Sequence, residues 1–150
     1  MRIGVLTGGG DAPGLNAAIR AVTRRAISYG YEVIGIKRGW AGILDKDIVK
    51  LDRDAVSGIL PKGGTILGTS RTNPFAKEED KNKLLKNIKE LGLDVIVAIG
   101  GDDTQSVASK LSDLGYKVVG IPKTIDNDLS GTDRTFGFDT AVAIATEAID

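Results

Sequence analysis

Residues 95–114 read VIVAIGGDDTQSVASKLSDL. The first five form an unbroken apolar run, mostly β-branched and closed by two glycines, which is the pattern of a strand buried on both faces. From Thr104 the period changes. Val107, Leu111 and Leu114 recur at helical spacing and Gly115 follows them, so residues 104–114 read as a helix with one apolar face. Working outward, residues 3–6, 33–36 and 118–121 repeat the strand pattern. Residues 15–27 and 77–91 repeat the helical one, the second charged and closed by Gly92, and residues 139–150 are helical again. Residues 45–51 fit an edge strand, and residues 52–60 a short helix starting near Asp52 or Asp54. Apolar strands alternating with helices predict an α/β fold: a doubly wound, mostly parallel sheet with helices on both faces, a Rossmann-like layer. Ligands of such sheets sit beyond the carboxyl ends of the strands, so function is expected just after Leu6, Ile99 and Ile121.

Composition removes several chemistries. The 150 residues contain 20 Lys and Arg against 20 Asp and Glu, for a net charge of zero. That balance gives no basic excess for a nucleic acid or an acidic membrane surface, and neither is expected as a partner. Cysteine and histidine are both absent. Disulfides, thiolate chemistry, a Ser-His-Asp triad and a His- or Cys-ligated zinc are therefore excluded. Acid–base work must fall to Asp, Glu, Lys or Tyr. The chain enters a strand pattern with no charged leader and has no apolar run approaching ~20 residues, so a cytoplasmic protein without signal peptide or membrane span is expected. The closing DTAVAIATEAID has neither a Gly or Asn cap nor a polar tail, as expected of a piece of a longer protein.

The 20 glycines, well above the usual ~7%, gather at the ends of the apolar runs. Residues 7–16, TGGGDAPGLN, place consecutive glycine amides before a helix, where they can converge on an anion, or simply turn the chain tightly. Residues 100–104, GGDDT, end a strand with two carboxylates. One Asp would suffice as a helix cap, whereas an adjacent pair suits magnesium, which takes oxygen ligands. Residues 122–128, PKTIDND, supply a cation, a hydroxyl and two carboxylates, and in a chain without histidine an Asp here is the best general base. Residues 63–71, GGTILGTSR, end in Arg71, which can fork onto phosphate oxygens or serve as a surface charge.

Together the segments IGVLTGGGDAPGLNAAIR, GGTILGTSR, AIGGDDT and PKTIDNDLSGTD, in that order and over essentially the whole chain, resemble the 6-phosphofructokinase family. The resemblance implies that residues 1–150 are the donor-phosphate-binding α/β domain of a glycolytic or gluconeogenic enzyme making fructose 1,6-bisphosphate from fructose 6-phosphate. It implies that Gly10, Arg71, Asp103 and Thr104 bind the phosphoryl donor and that Asp102 holds Mg²⁺. Thr124, Ile125, Asp126 and Asp128 would meet the sugar phosphate, with Asp126 taking the proton of the 1-hydroxyl. ATP users in this family generally carry small residues where this chain has Asp103 and Lys123, and pyrophosphate users look like this chain. The physical reason is that Asp103 would put a carboxylate where the α-phosphate of ATP sits, while Lys123 would stabilise charge on the transferring or leaving phosphate. Pyrophosphate is thus the expected donor.

The rival readings are an ATP-dependent phosphofructokinase, a diacylglycerol- or NAD-kinase relative sharing a GGDG-type turn, and a non-catalytic polyphosphate- or nucleotide-binding module. Arg20, Arg24 and Arg53 resemble part of the effector set of allosteric relatives or are solvated charges, and Tyr31 and Trp40 are expected to pack. The resemblance further implies a homo-oligomer, dimer or tetramer, when full length. It also implies a downstream Met-Gly-Arg segment and sugar-phosphate-clamping arginines, so the 150 residues alone are expected to turn over negligibly.

Overall fold

The computed structural model describes residues 1–149. Six strands form one sheet in the order β3-β2-β1-β4-β5-β6. They are β1 (Arg2–Thr7), β2 (Glu32–Ile36), β3 (Ile48–Leu51), β4 (Val95–Gly100), β5 (Val118–Thr124) and β6 (Phe136–Gly137). All neighbours are parallel except β2 and β3, which pair antiparallel at one edge. Five helices accompany them: α1 (Leu15–Ser28), α2 (Ala41–Leu44), α3 (Glu78–Glu90), α4 (Asp102–Asp113) and α5 (Phe138–Ile149).

The strands bury both faces because both alternating sets of side chains are apolar. Leu6, Ile34, Ile36, Ile96 and Ala98 point into one core, shared with Ile43 of α2, Leu84 and Ile88 of α3, and Val107 and Leu111 of α4. Their neighbours Val5, Val33, Val97 and Ile99 point into the other, shared with Leu15 and Ile19 of α1 and with Val56, Ile59 and Leu67 of the following loops. Helices therefore cover both faces, as the sequence implies. Strand β5 is covered less. Val119 is exposed, and α5 buries none of its described residues, leaving Val142 and Ile144 in the open.

Three expectations are corrected. Residues 52–60 form turns, not a helix. The Ala55 amide does donate to Asp52 Oδ1 as at a helix start, but Gly58 sits at φ +74° and stops the coil after one turn. Helix α4 starts at Asp102, two residues earlier than expected, and Leu114 is exposed at its end instead of buried on the apolar face. Strand β5 runs on to Thr124 because Lys123 and Thr124 pair with Phe136 and Gly137, a partner that local sequence does not reveal. Tyr31 and Trp40 do pack: Trp40 is buried in the first core, and Tyr31 stacks on Tyr29 with ring centroids 5.9 Å apart. Among the described residues no helix is long and apolar enough to cross a membrane.

Candidate active site at the strand ends

The chain leaves β1 toward β2 on one side, while β4 lies on the other. The carboxyl ends of β1 and β4 therefore flank a topological switch point, where open α/β sheets bind ligands. The switch is closed by a hydrogen bond of 2.9 Å from the Gly8 amide to the Ile99 carbonyl. Just beyond it the side chain of Thr104, on the first turns of α4, fills the gap between the two strands. A Cβ on Gly8 would stand 2.3 Å from Thr104 Oγ1, and one on Gly100 would stand 2.6 Å from it. Only glycines let the two turns close on that side chain.

The third segment reaches the same place. Lys123 is buried, and its Nζ donates to the Gly10 carbonyl, tying β5 to the loop after β1. A Cβ at Gly101 would lie 3.5 Å from the Lys123 carbonyl, so the acidic turn packs on the same residue. Burial pushes the Lys123 ammonium below the ordinary lysine range, and the negative charges of Asp11, Asp126 and Asp128 pull part of the way back. Next in the chain, the buried Thr124 hydroxyl donates to Asp128 Oδ1 at 3.1 Å across a turn in which Asn127 adopts φ +56°. Asn tolerates that left-handed conformation better than most residues.

The carboxylates are left available. Gly101 is the N-cap of α4 and no side chain caps that helix, so neither Asp102 nor Asp103 is spent on capping. Both are exposed in its first turn, as is Asp126 beyond β5. Among the described residues none of Asp102, Asp103, Asp126 and Asp128 is in an ion pair. Helix α1 is likewise open: its N-cap is Gly14 at φ +102°, and no acidic side chain lies in its first turn. Two helix starts without side-chain caps thus follow the strands that flank the switch point, with positive dipole ends suited to phosphate.

Arg71 is exposed at the end of a loop that the structure pins firmly. The buried Thr7 hydroxyl bonds to Thr65 Oγ1 and the Gly68 carbonyl, each at 2.8 Å. The Asn16 amide group donates to the carbonyls of Lys62 and Gly63 and accepts from the Ile66 amide. Ser70 Oγ donates to the Arg38 carbonyl at 2.6 Å. Arg53 lies elsewhere, in an open hollow with Ile27, Tyr31 and Lys50 beside the start of β2. Sequence reasoning missed Thr7, Asn16 and Gln105 as organisers of the site. Thr7 and Asn16 do stand inside the glycine-loop segment, but nothing in their type or spacing marks Gln105.

Sequence and structure comparisons lead to one family. The family profile described as Phosphofructokinase matches residues 2–150. The chain is 61% identical over 149 residues to the pyrophosphate–fructose 6-phosphate 1-phosphotransferase of Dictyoglomus thermophilum, covering 99% of this chain and 43% of that protein. It is 58% identical over 151 residues to the ATP-dependent 6-phosphofructokinase 3 of Streptomyces coelicolor, covering 100% of this chain and 44% of that one. The chain thus spans less than half the length of the curated relatives it matches. The crystal structure of Pichia pastoris phosphofructokinase in the T-state superposes with a TM-score of 0.91 at 33% identity, over 99% of this chain and 18% of that one. The glycine-lined switch point, its free carboxylates and these likenesses agree: the chain belongs to the phosphofructokinase family.

Proposed function

We propose that the full-length protein transfers a phosphoryl group from pyrophosphate to the 1-hydroxyl of fructose 6-phosphate, giving fructose 1,6-bisphosphate. The observation that carries the reading is the pairing of a buried cation with free acids at the switch point. Lys123 is anchored on the Gly10 carbonyl, beside a helix start whose two carboxylates are uncapped. In this reading Asp126 accepts the hydroxyl proton as that oxygen bonds to the near phosphorus of the donor. The bridging P–O bond breaks, and its electron pair leaves with the released phosphate. Lys123 offsets the negative charge that grows there, and the amides after β1 orient the donor. Arg71 and Thr104 contact the donor, while Thr124, Ile125 and Asp128 frame the sugar phosphate. The carboxylate of Asp103 stands where a nucleotide would need room for a further phosphate, and repels it.

The residues suit Mg²⁺. The donors are carboxylate oxygens, and Asp102 is exposed and not spent on capping α4. That fits an ion bound by one or two carboxylates and completed by phosphate oxygens and water. Mg²⁺ bound there would neutralise charge on the donor. The same reading carries with it a cytoplasmic homo-oligomer working in glycolysis or gluconeogenesis. It also expects negligible turnover from the 150 residues alone, which cover 43% of the Dictyoglomus relative.

ATP as donor is the second reading, favoured by the name of the Streptomyces relative at 58% identity. Replacing Asp103 and Lys123 together by Gly in the full-length protein separates the two. The expected result is a loss of at least ~100-fold in kcat/KM for pyrophosphate, the scale of removing one oriented charge from a transition state. Unchanged pyrophosphate turnover contradicts the assignment. Asp126→Ala is expected to lower kcat by ~100-fold or more with donor binding retained. Retained turnover in that variant would show that Asp126 is not the general base, whereas a parent protein that binds the donor without turnover would favour the non-catalytic binding module.

A further inference from the structure

We propose that Gln105 is a positioning residue that locks the acidic turn after β4 to the strand bearing Lys123, and that residue 120 is glycine in order to admit it. The inference rests on the phosphoryl-transfer reading above. Gln105 lies on the first turns of α4, directly after Thr104. Its Nε2 donates to the carbonyls of Ala98 at 3.0 Å, Gly100 at 3.2 Å and Ile121 at 3.2 Å. Two of these acceptors belong to β4 and one to β5. In the sheet Ala98 stands opposite Gly120 and Gly100 opposite Pro122, so the amide straddles the seam between the strands.

Space for it exists because residue 120 lacks a side chain. A Cβ there would stand 2.1 Å from Gln105 Oε1, so Ala at 120 would push the amide out of this seat. The neighbouring Thr104 ties the same turn in the opposite direction, filling the notch between Gly8 and Gly100. Thr104 thus holds the acidic turn against β1, and Gln105 holds it against β5. Asp102 and Asp103 precede this pair, and Lys123 is two residues beyond Ile121. The β4–β5 ladder brings the acids that face the donor near the cation that meets the departing phosphate, and this amide fixes the turn beyond the ladder's end. A displacement near 1 Å in such a constellation can cost ~100-fold in rate.

The test is a cycle in the full-length protein: Gln105→Ala, Gly120→Ala and the two together, assayed with pyrophosphate and fructose 6-phosphate below the unfolding range of each variant. Each single change removes the same lock, so the expected loss is ~10- to 100-fold in kcat for either, and about the same loss for the pair. KM for both substrates should stay within about threefold, since a group lost only from the transition state lowers kcat and kcat/KM alike. A merely stabilising amide would lower the unfolding temperature and leave kcat in place. The proposal is overturned by kcat within about twofold of the parent in either single variant, by single losses that multiply in the pair, or by a loss carried in KM. Should Gly120→Ala not fold, Gln105→Leu keeps the volume, lacks the donors and gives the same kcat and KM readout. A parent protein that uses neither pyrophosphate nor ATP defeats the functional reading first, and the lock falls with it. An active parent with unaffected variants defeats the lock alone.

Discussion

Burial opposes the charge on Lys123 more strongly than Asp11, Asp126 and Asp128 support it, so its folded pKa lies below the ordinary 10.5. Below that folded value the ammonium is charged in both states and the fold carries the whole penalty. As pH rises toward 10.5 the unfolded chain holds the extra proton and the penalty fades. The parent's stability should therefore gain a component from Lys123 as pH rises toward 10.5, and Lys123→Met, which cannot titrate, should lack that component. Thermal melts of both proteins across that range check it, and a stability difference between them that does not change with pH contradicts it. Lys123, Asp102, Asp103 and Asp126 were legible in the sequence as candidates because a cation and acids beside glycines have few structural uses. Their states were not. A reader of GGDD cannot tell a helix cap from a free acid, and the backbone answers by making Gly101 the cap. Gln105 was invisible for a related reason: a glutamine in a first helical turn is ordinarily a surface residue, and here the carbonyls of Ala98, Gly100 and Ile121 hold its amide over the seam.

At the scale of elements, periodicity found the strands and long helices, whose apolar faces are set by their own residues. It failed where partners lie far off in sequence. Strand β5 is lengthened by the two-residue β6, whereas the turn at residues 52–60 is ended locally, by the conformation of Gly58. The loop carrying Arg71 is a further case. Its shape is dictated from α1, where buried Asn16 bonds to Lys62, Gly63 and Ile66. Asn16→Ala strands those groups, with an expected loss of about 1–3 kcal/mol in stability. Faster amide exchange at Ile66, with exchange in β4 little changed, would show that the loop is released locally. Protection at Ile66 equal to the parent would show that Asn16 does not hold it.

For the molecule as a whole, strand order decides where chemistry can occur. Sequence alternation predicted a doubly wound sheet, and the order β3-β2-β1-β4-β5-β6 puts the switch between β1 and β4, with β5 alongside. That order brings together residues 8–10, 100–104 and 123–128, whose convergence the sequence could only anticipate from the rule for strand ends. The donor assignment depends on this convergence, since Asp103 can exclude a nucleotide only if it faces the phosphate loop across the switch. The most direct measurement compares kcat/KM for pyrophosphate and for ATP in the unmodified full-length protein, with Mg²⁺ and saturating fructose 6-phosphate. The account predicts a preference of ~100-fold or more for pyrophosphate, the scale of one misplaced like charge in a phosphate site. Equal use of the two donors, or a preference for ATP, would contradict it.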